Sequence, residues 1–413
     1  MAPEQGSTRA YRVLLVALLC LNFGILFFDR NAMNFLMPFV QPELRLSYTQ
    51  VGMLGSALSL TWALAAIFVG WLSDRSGRRK IIIVISTVVF SICSVVSGLA
   101  TGFLMLLGAR LVMGLSEGGV MPLSHAMVAR EVTPERRGIA MGIAQNLGSS
   151  LLGSTVAPLV LLPLAAAWGW RNGFFLAAVP GLISALLIAL LLAERRAPPV
   201  PLAEARKPVP LRATLADRNV LACTVMAVLL VAYLVVTWAF LPLILIQRRG
   251  FDADTTAWLM AVLGVASAVS SFLIPGLSDY IGRRPVMAGF TLVGTILPLA
   301  ALYYQGSAWT LGAIFFVGWL FNGIFPMFMA TVPSESVDPR QVATAMGVVM
   351  GVGEILGGVV SPSLAGALSD RYGLAAPLWL LVVLAVLGAL TALFLRETAP
   401  RLVARRQLQG AAA

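Results

Sequence analysis

Charge is scarce in this chain. Of 413 residues, 11% are Asp, Glu, Lys or Arg and 59% are hydrophobic, whereas soluble domains carry about a quarter charged residues. Histidine occurs once and cysteine three times. Cys20, Cys93 and Cys223 all lie in apolar runs, so they read as packing residues and not as a disulfide framework or a metal site. His125 has no Ser or Cys nucleophile at a suggestive spacing, so no catalytic set is visible and no enzyme is expected. A Walker lysine motif is missing as well, which points to an ion gradient and not ATP as the energy source, with no cofactor. Short segments of alternating polarity, the mark of a membrane β-barrel, are also lacking.

What the chain has is long apolar runs. They predict an all-α membrane protein, because only helices satisfy their own backbone groups in lipid. Twelve spans are expected, at about 13–40, 48–72, 81–100, 103–129, 138–166, 173–193, 219–246, 254–277, 285–304, 308–331, 342–367 and 375–395. The first run is too long for the core of a signal peptide and is read as a retained span. The net charge of +11 could suggest nucleic acid, but its distribution argues otherwise. Basic residues cluster at alternating ends of the runs, as in Arg75 to Lys80, Arg136-Arg137, Arg195 to Arg212 and Arg283-Arg284. This is the positive-inside pattern, so both termini are expected in the cytoplasm.

The chain repeats itself. A shift of 205 residues carries Asp74, Gly77, Arg78 and Arg79 onto Asp279, Gly282, Arg283 and Arg284. The same shift carries Gly118 onto Gly323, Pro134 onto Pro339, Ala140-Met141-Gly142 onto Ala345-Met346-Gly347, and Gly148 onto Gly353. Six spans return each half to the same side, so the halves are parallel repeats about an axis along the membrane normal. The expected organisation is an N-terminal bundle over 1–193, a Pro- and Arg-rich cytoplasmic linker over 194–218, and a C-terminal bundle over 219–413. Such repeats place a substrate site near the midplane, where the halves meet, and rock to give alternating access.

The repeated loops, Gly70-Trp-Leu-Ser-Asp74-Arg-Ser-Gly77-Arg78-Arg79 and Gly276-Leu-Ser-Asp279-Tyr-Ile-Gly282-Arg283-Arg284, are very short turns. Gly allows a left-handed turn, and Asp can cap the next helix. These loops resemble the signature of the major facilitator superfamily. Arg110-Leu-Val-Met-Gly114-Leu-Ser-Glu117-Gly118 resembles that family's fourth-helix motif. The resemblance implies two six-helix bundles and a cytoplasmic gate that includes Asp74, Arg78, Asp279 and Arg283. Arg110 is grouped with the gating residues.

A charge inside the hydrocarbon costs at least about 2.5–3.5 kcal/mol on insertion scales, so such residues signal function. They are few: Asp29, Arg30, Arg110, Glu117 and Glu354. The Asp29-Arg30 dyad and Glu117 resemble the anion:cation symporter branch of the superfamily. That resemblance implies that Arg30 binds a substrate carboxylate and that Asp29 and Glu117 take up protons. Gln145 matches a substrate-contacting Gln of its sugar-acid members. Trp62 stands where the branch often has Tyr, which leaves room for a flatter or more apolar anion. Asn34, one turn from Arg30, and Asn322, the repeat mate of Glu117, are further binding candidates, and Glu354 a further proton site.

The expected function is proton-coupled symport of a small organic anion, a carboxylate or sugar acid. The expected setting is a monomer in a bacterial inner membrane. A drug efflux antiporter is the rival, although the Gly-Pro pair of such antiporters is missing from the fifth span. A non-transporting sensor is a third reading, disfavoured by the short linker and tails. The roles of His125 and Glu354 stay open on sequence alone.

Overall fold

The computed structural model describes residues 8–133, 136, 140–194, 217–338 and 341–402. Among them the chain is helical, with no strand. It folds as two units, residues 1–44 with 60–204 and residues 45–59 with 205–413.

Unit 1 contains α1 (Arg9–Glu43), most of α2 (Tyr48–Ser76), α3 (Arg79–Gly98), α4 (Phe103–Glu117), α5 (Val120–Glu131), α6 (Ala157–Trp168) and α7 (Trp170–Leu191). Unit 2 contains α8 (Arg218–Leu243), α9 (Ala253–Ile281), α10 (Arg283–Val293), α11 (Ile296–Tyr303), α12 (Ala308–Trp319), α13 (Val332–Ser336), α14 (Val342–Val352), α15 (Val360–Tyr372) and α16 (Ala376–Ala392). Ten helical runs among the described residues are long and apolar enough to cross a membrane. The other two expected spans fall on α2 and on the 17-residue α16. The linker residues 195–216, Pro134 and Pro339 lie outside the described residues.

The two units repeat their packing. α1 lies against α7 and against a π-helical segment, Ser149–Val156. α8 lies in the same way against α16 and the π-helical segment Gly353–Val359. Small residues let these backbones approach, as in membrane helix pairs generally. A Cβ on Gly148 would stand 2.1 Å from the Cys20 carbonyl oxygen, and one on Gly353 would stand 2.8 Å from Ala227 Cβ.

The loop glycines behave as expected, with φ of 64° at Gly77 and 116° at Gly282. The caps do not. The loop aspartates sit in the last turns of α2 and α9, before the turn, and Asp279 is not the cap of the next helix. Instead the Glu194 carboxylate accepts the N–H groups of Lys80 and Ile81 (3.3 and 2.9 Å). Glu397 does the same for Arg283 and Arg284 (2.8 and 3.2 Å). In each unit a residue just beyond the last helix closes the start of the third.

The sequence division also placed residues 45–59 in the N-terminal bundle, whereas they pack within unit 2. Asp370, at the end of α15, explains this. Its carboxylate accepts the N–H groups of Tyr48 and Thr49, both at 2.8 Å, and the Thr49 hydroxyl at 2.6 Å. That is an N-cap supplied from elsewhere in the chain.

Candidate functional site

The middle of unit 1 buries three charged side chains. Asp29 on α1 is fully buried, Glu117 is 1% exposed and Arg110 is 3% exposed, both on α4. Polar side chains at such depth are normally hydrogen-bonded, yet these are only partly served. The Ser94 hydroxyl of α3 donates to Asp29 Oδ1, while Asp29 Oδ2 has no hydrogen-bond partner. Arg110 Nη1 donates to the Arg30 carbonyl oxygen at 3.2 Å and to Met113 Sδ at 3.3 Å. Arg110 Nε and Nη2, and both oxygens of Glu117, have no partner. Asp29, Arg30, Arg110 and Glu117 lie within electrostatic reach of one another.

Asp29 and Arg30, adjacent in sequence, do not pair. They leave α1 in different directions, as successive helix residues must. Asp29 turns to Ser94, while the half-buried Arg30 guanidinium lies over two aromatic rings. Its Cζ is 5.6 Å from the Phe27 ring centroid and 5.5 Å from that of Trp62, within cation–π range. Among the described residues no carboxylate lies within ion-pair distance of it. Arg110, grouped with the gating residues on sequence, stands in this buried set on α4.

The neighbouring amides are engaged. Asn34 Nδ2 donates to Asn31 Oδ1 at 3.3 Å, and Asn31 Nδ2 donates to the Gly153 carbonyl at 3.0 Å. Gln145, in the π-helical segment Ile143–Leu147, donates to Met121 Sδ at 3.2 Å and bonds with His125. His125 Nε2 has no partner.

In unit 2, Asn322 lies half-buried in the 3-10 segment Leu320–Ile324, which interrupts the expected tenth span. Glu354 is half-buried in the π-helical segment Gly353–Val359. Tyr233 is spent on packing, its hydroxyl bonded to the Gly294 carbonyl at 2.7 Å. At the loop, Arg283 bridges Asp279 (2.7 Å) and Glu335 (3.0 Å). Arg78 is exposed, and the side chain of Asp74 lies outside the described residues.

Sequence reasoning missed Ser94, Phe27 and Asn31. Phe27 was findable, since three residues before Arg30 is the same helix face. Among the described residues no group of three metal-ligating side chains occurs.

Two long helical repeats, one of them with a cluster of buried charges in its middle, suit a carrier. The description "Major Facilitator Superfamily" matches residues 19–253 and 224–412. The chain belongs to that superfamily. Its members are transporters, so the chain is a multi-pass membrane transporter and not an enzyme. A protein of Cupriavidus necator named a probable sulfoacetate transporter is 26% identical over 93% of this chain and 94% of its own length. A probable 4-methylmuconolactone transporter of Cupriavidus pinatubonensis is 30% identical over 84% of this chain and 82% of its own. The solved structure of a nucleoside transporter shares the fold, with a TM-score of 0.79 at 14% identity, covering 92% of this chain and all of that one. Within the superfamily the chain resembles the anion:cation symporter branch.

Proposed function

We propose that this superfamily member is a proton-coupled symporter of a small organic anion, working by alternating access in a bacterial inner membrane with both termini cytoplasmic. The observation that carries the reading is Arg30: a half-buried guanidinium with aromatic rings beside it and no carboxylate partner among the described residues. A guanidinium inside a membrane protein is costly, and a substrate carboxylate offers it the bidentate fork that its own chain does not. Relatives named for sulfoacetate and 4-methylmuconolactone support a small organic acid as cargo.

Glu117 is the proton carrier in this scheme. It is buried, and neither oxygen has a partner. A buried carboxylate without partners is cheaper neutral than charged. A proton on Glu117 and an anion on Arg30 together leave the unit with less uncompensated charge than either alone. That coupling is a binding free energy shared by two ligands and is reciprocal. Asp29, held by Ser94, is the second titratable group of the set, and Arg110 is the fixed positive charge behind both. Glu354 and His125 are candidates for later proton transfers, and Asp279 and Arg283 for the cytoplasmic gate.

The test is uptake of radiolabelled carboxylates into proteoliposomes under an imposed proton gradient. Uptake should collapse with a protonophore. Arg30→Ala should reduce it by about a hundredfold or more, the scale of losing a charge-assisted bidentate contact. Normal transport by Arg30→Ala would remove the anion assignment.

A further inference from the structure

We propose that the anion is flat and conjugated: an aromatic or α,β-unsaturated monocarboxylate, with its carboxylate on Arg30 and its plane continued along Trp62. This inference rests on the anion reading of Arg30 above and narrows it.

The first argument is geometric. A guanidinium and a carboxylate joined by two parallel hydrogen bonds share one plane. In a conjugated acid, the ring or alkene extends that plane beyond the carboxylate. In a saturated acid, the carbon next to the carboxylate is tetrahedral and breaks it. Arg30 already lies over two rings, Phe27 and Trp62, at 5.6 and 5.5 Å. Both residues are half-buried, so neither is fully enclosed by the protein and a ring face is available in part. A planar body attached to the carboxylate can use that face by stacking.

The second argument concerns what could read hydroxyl groups. A site selective for a polyol needs free donors and acceptors at fixed positions, since unpaired buried polar groups are penalised. Three candidate amides each spend a donor on the protein: Asn31 on Gly153, Asn34 on Asn31, and Gln145 on Met121. The Ser94 hydroxyl is committed to Asp29. Glu117 has two unpaired oxygens, but at 1% exposure they are placed for a proton and not for a sugar hydroxyl. Half-buried along with Asn34 and Gln145 are three soft groups: Phe27, Trp62 and the thioether of Met121. Thioethers and aromatic rings pair well with π-faces.

Binding by the purified full-length protein, read by isothermal titration or thermal shift, tests this with four probes: benzoate, cinnamate, glucuronate and benzamide. Benzoate and cinnamate should bind at least about tenfold more tightly than glucuronate, the size of one good stacking contact. Benzamide, flat but uncharged, should not bind detectably. Trp62→Ala should bring benzoate to within about threefold of glucuronate, and Trp62→Phe, which keeps a ring, should retain most of the preference. If glucuronate binds as well as benzoate and both are lost in Arg30→Ala, the flat-anion inference fails while the anion reading stands. If no carboxylate binds, or binding survives Arg30→Ala, both fail. If Trp62→Ala leaves the tenfold preference intact, the stacking role of Trp62 is overturned.

Discussion

At positions related by the 205-residue shift, unit 1 has Asp29, Arg30 and Arg110 where unit 2 has Leu234, Val235 and Phe315. α8 carries no charged residue after Arg218, and α12 carries none at all. Yet α8 packs on its π-helical partner and on α16 much as α1 packs on its own partners. Unit 2 is therefore an internal control. A unit of this architecture needs no guanidinium or carboxylate at those positions, so those of unit 1 are not there to hold helices together. Replacing buried ion pairs by apolar side chains is often neutral or stabilising, and unit 2 displays that replacement. On the same elements unit 2 carries an aromatic cluster, with Tyr233 4.6 Å from Phe321 and Trp238 5.6 Å from Trp319. Polar side chains in unit 2 include Asn322, at the position of Glu117, and Glu354, at that of Ser149.

The comparison can be broken most directly at Glu117. Glu117→Gln should abolish accumulation against a gradient while leaving substrate exchange across the membrane within about threefold, because a fixed neutral side chain mimics the protonated state but cannot release a proton. Proton-driven uptake and counterflow in the same proteoliposomes separate the two. Loss of both, or of neither, would remove Glu117 from the coupling role.

A smaller effect is expected where the two units differ in packing and not in charge. Gly148→Ala forces a methyl onto a backbone oxygen at 2.1 Å, whereas Gly353→Ala meets the Ala227 methyl at 2.8 Å. Overpacking typically costs about 1–3 kcal/mol. Gly148→Ala should therefore lower the melting temperature by several degrees, and Gly353→Ala by less. A larger drop for Gly353→Ala would reverse the ranking. The smallest effect belongs to Tyr233→Phe, which deletes one buried hydrogen bond worth about 1 kcal/mol. It should shift melting slightly and leave uptake unchanged. A transport defect there would mean that the aromatic cluster of unit 2 does more than pack.

Much of the fold was legible in the chain. Runs of twenty apolar residues and a repeated Gly-Asp-Gly-Arg loop are strong signals, because the lipid and the left-handed turn each leave few alternatives. The charged positions were legible for the same reason. Their partners were not. Ser94 and Asp29 are 65 residues apart, and nothing in either segment announces the other. Glu194 read only as the start of the linker and Glu397 was not singled out, yet both serve as helix caps. The π-helical segments Ser149–Val156 and Gly353–Val359 depend on tertiary packing against α1 and α8, which no local propensity encodes. The separation of Asp29 from Arg30 follows from helix geometry, because successive residues leave a helix in different directions.

The three cysteines, set aside at the outset as packing residues, have a practical consequence. Cys93 and Cys223 are buried, Cys20 is half-buried, and none is in a disulfide. Aqueous thiol reagents thus meet no exposed native target among the described residues. A cysteine introduced at an exposed loop position in each unit could carry a spin label or a fluorophore over little background. The distance between two such labels, followed as anion and protons are added, would report how the carrier moves during its cycle without stripping out its own thiols.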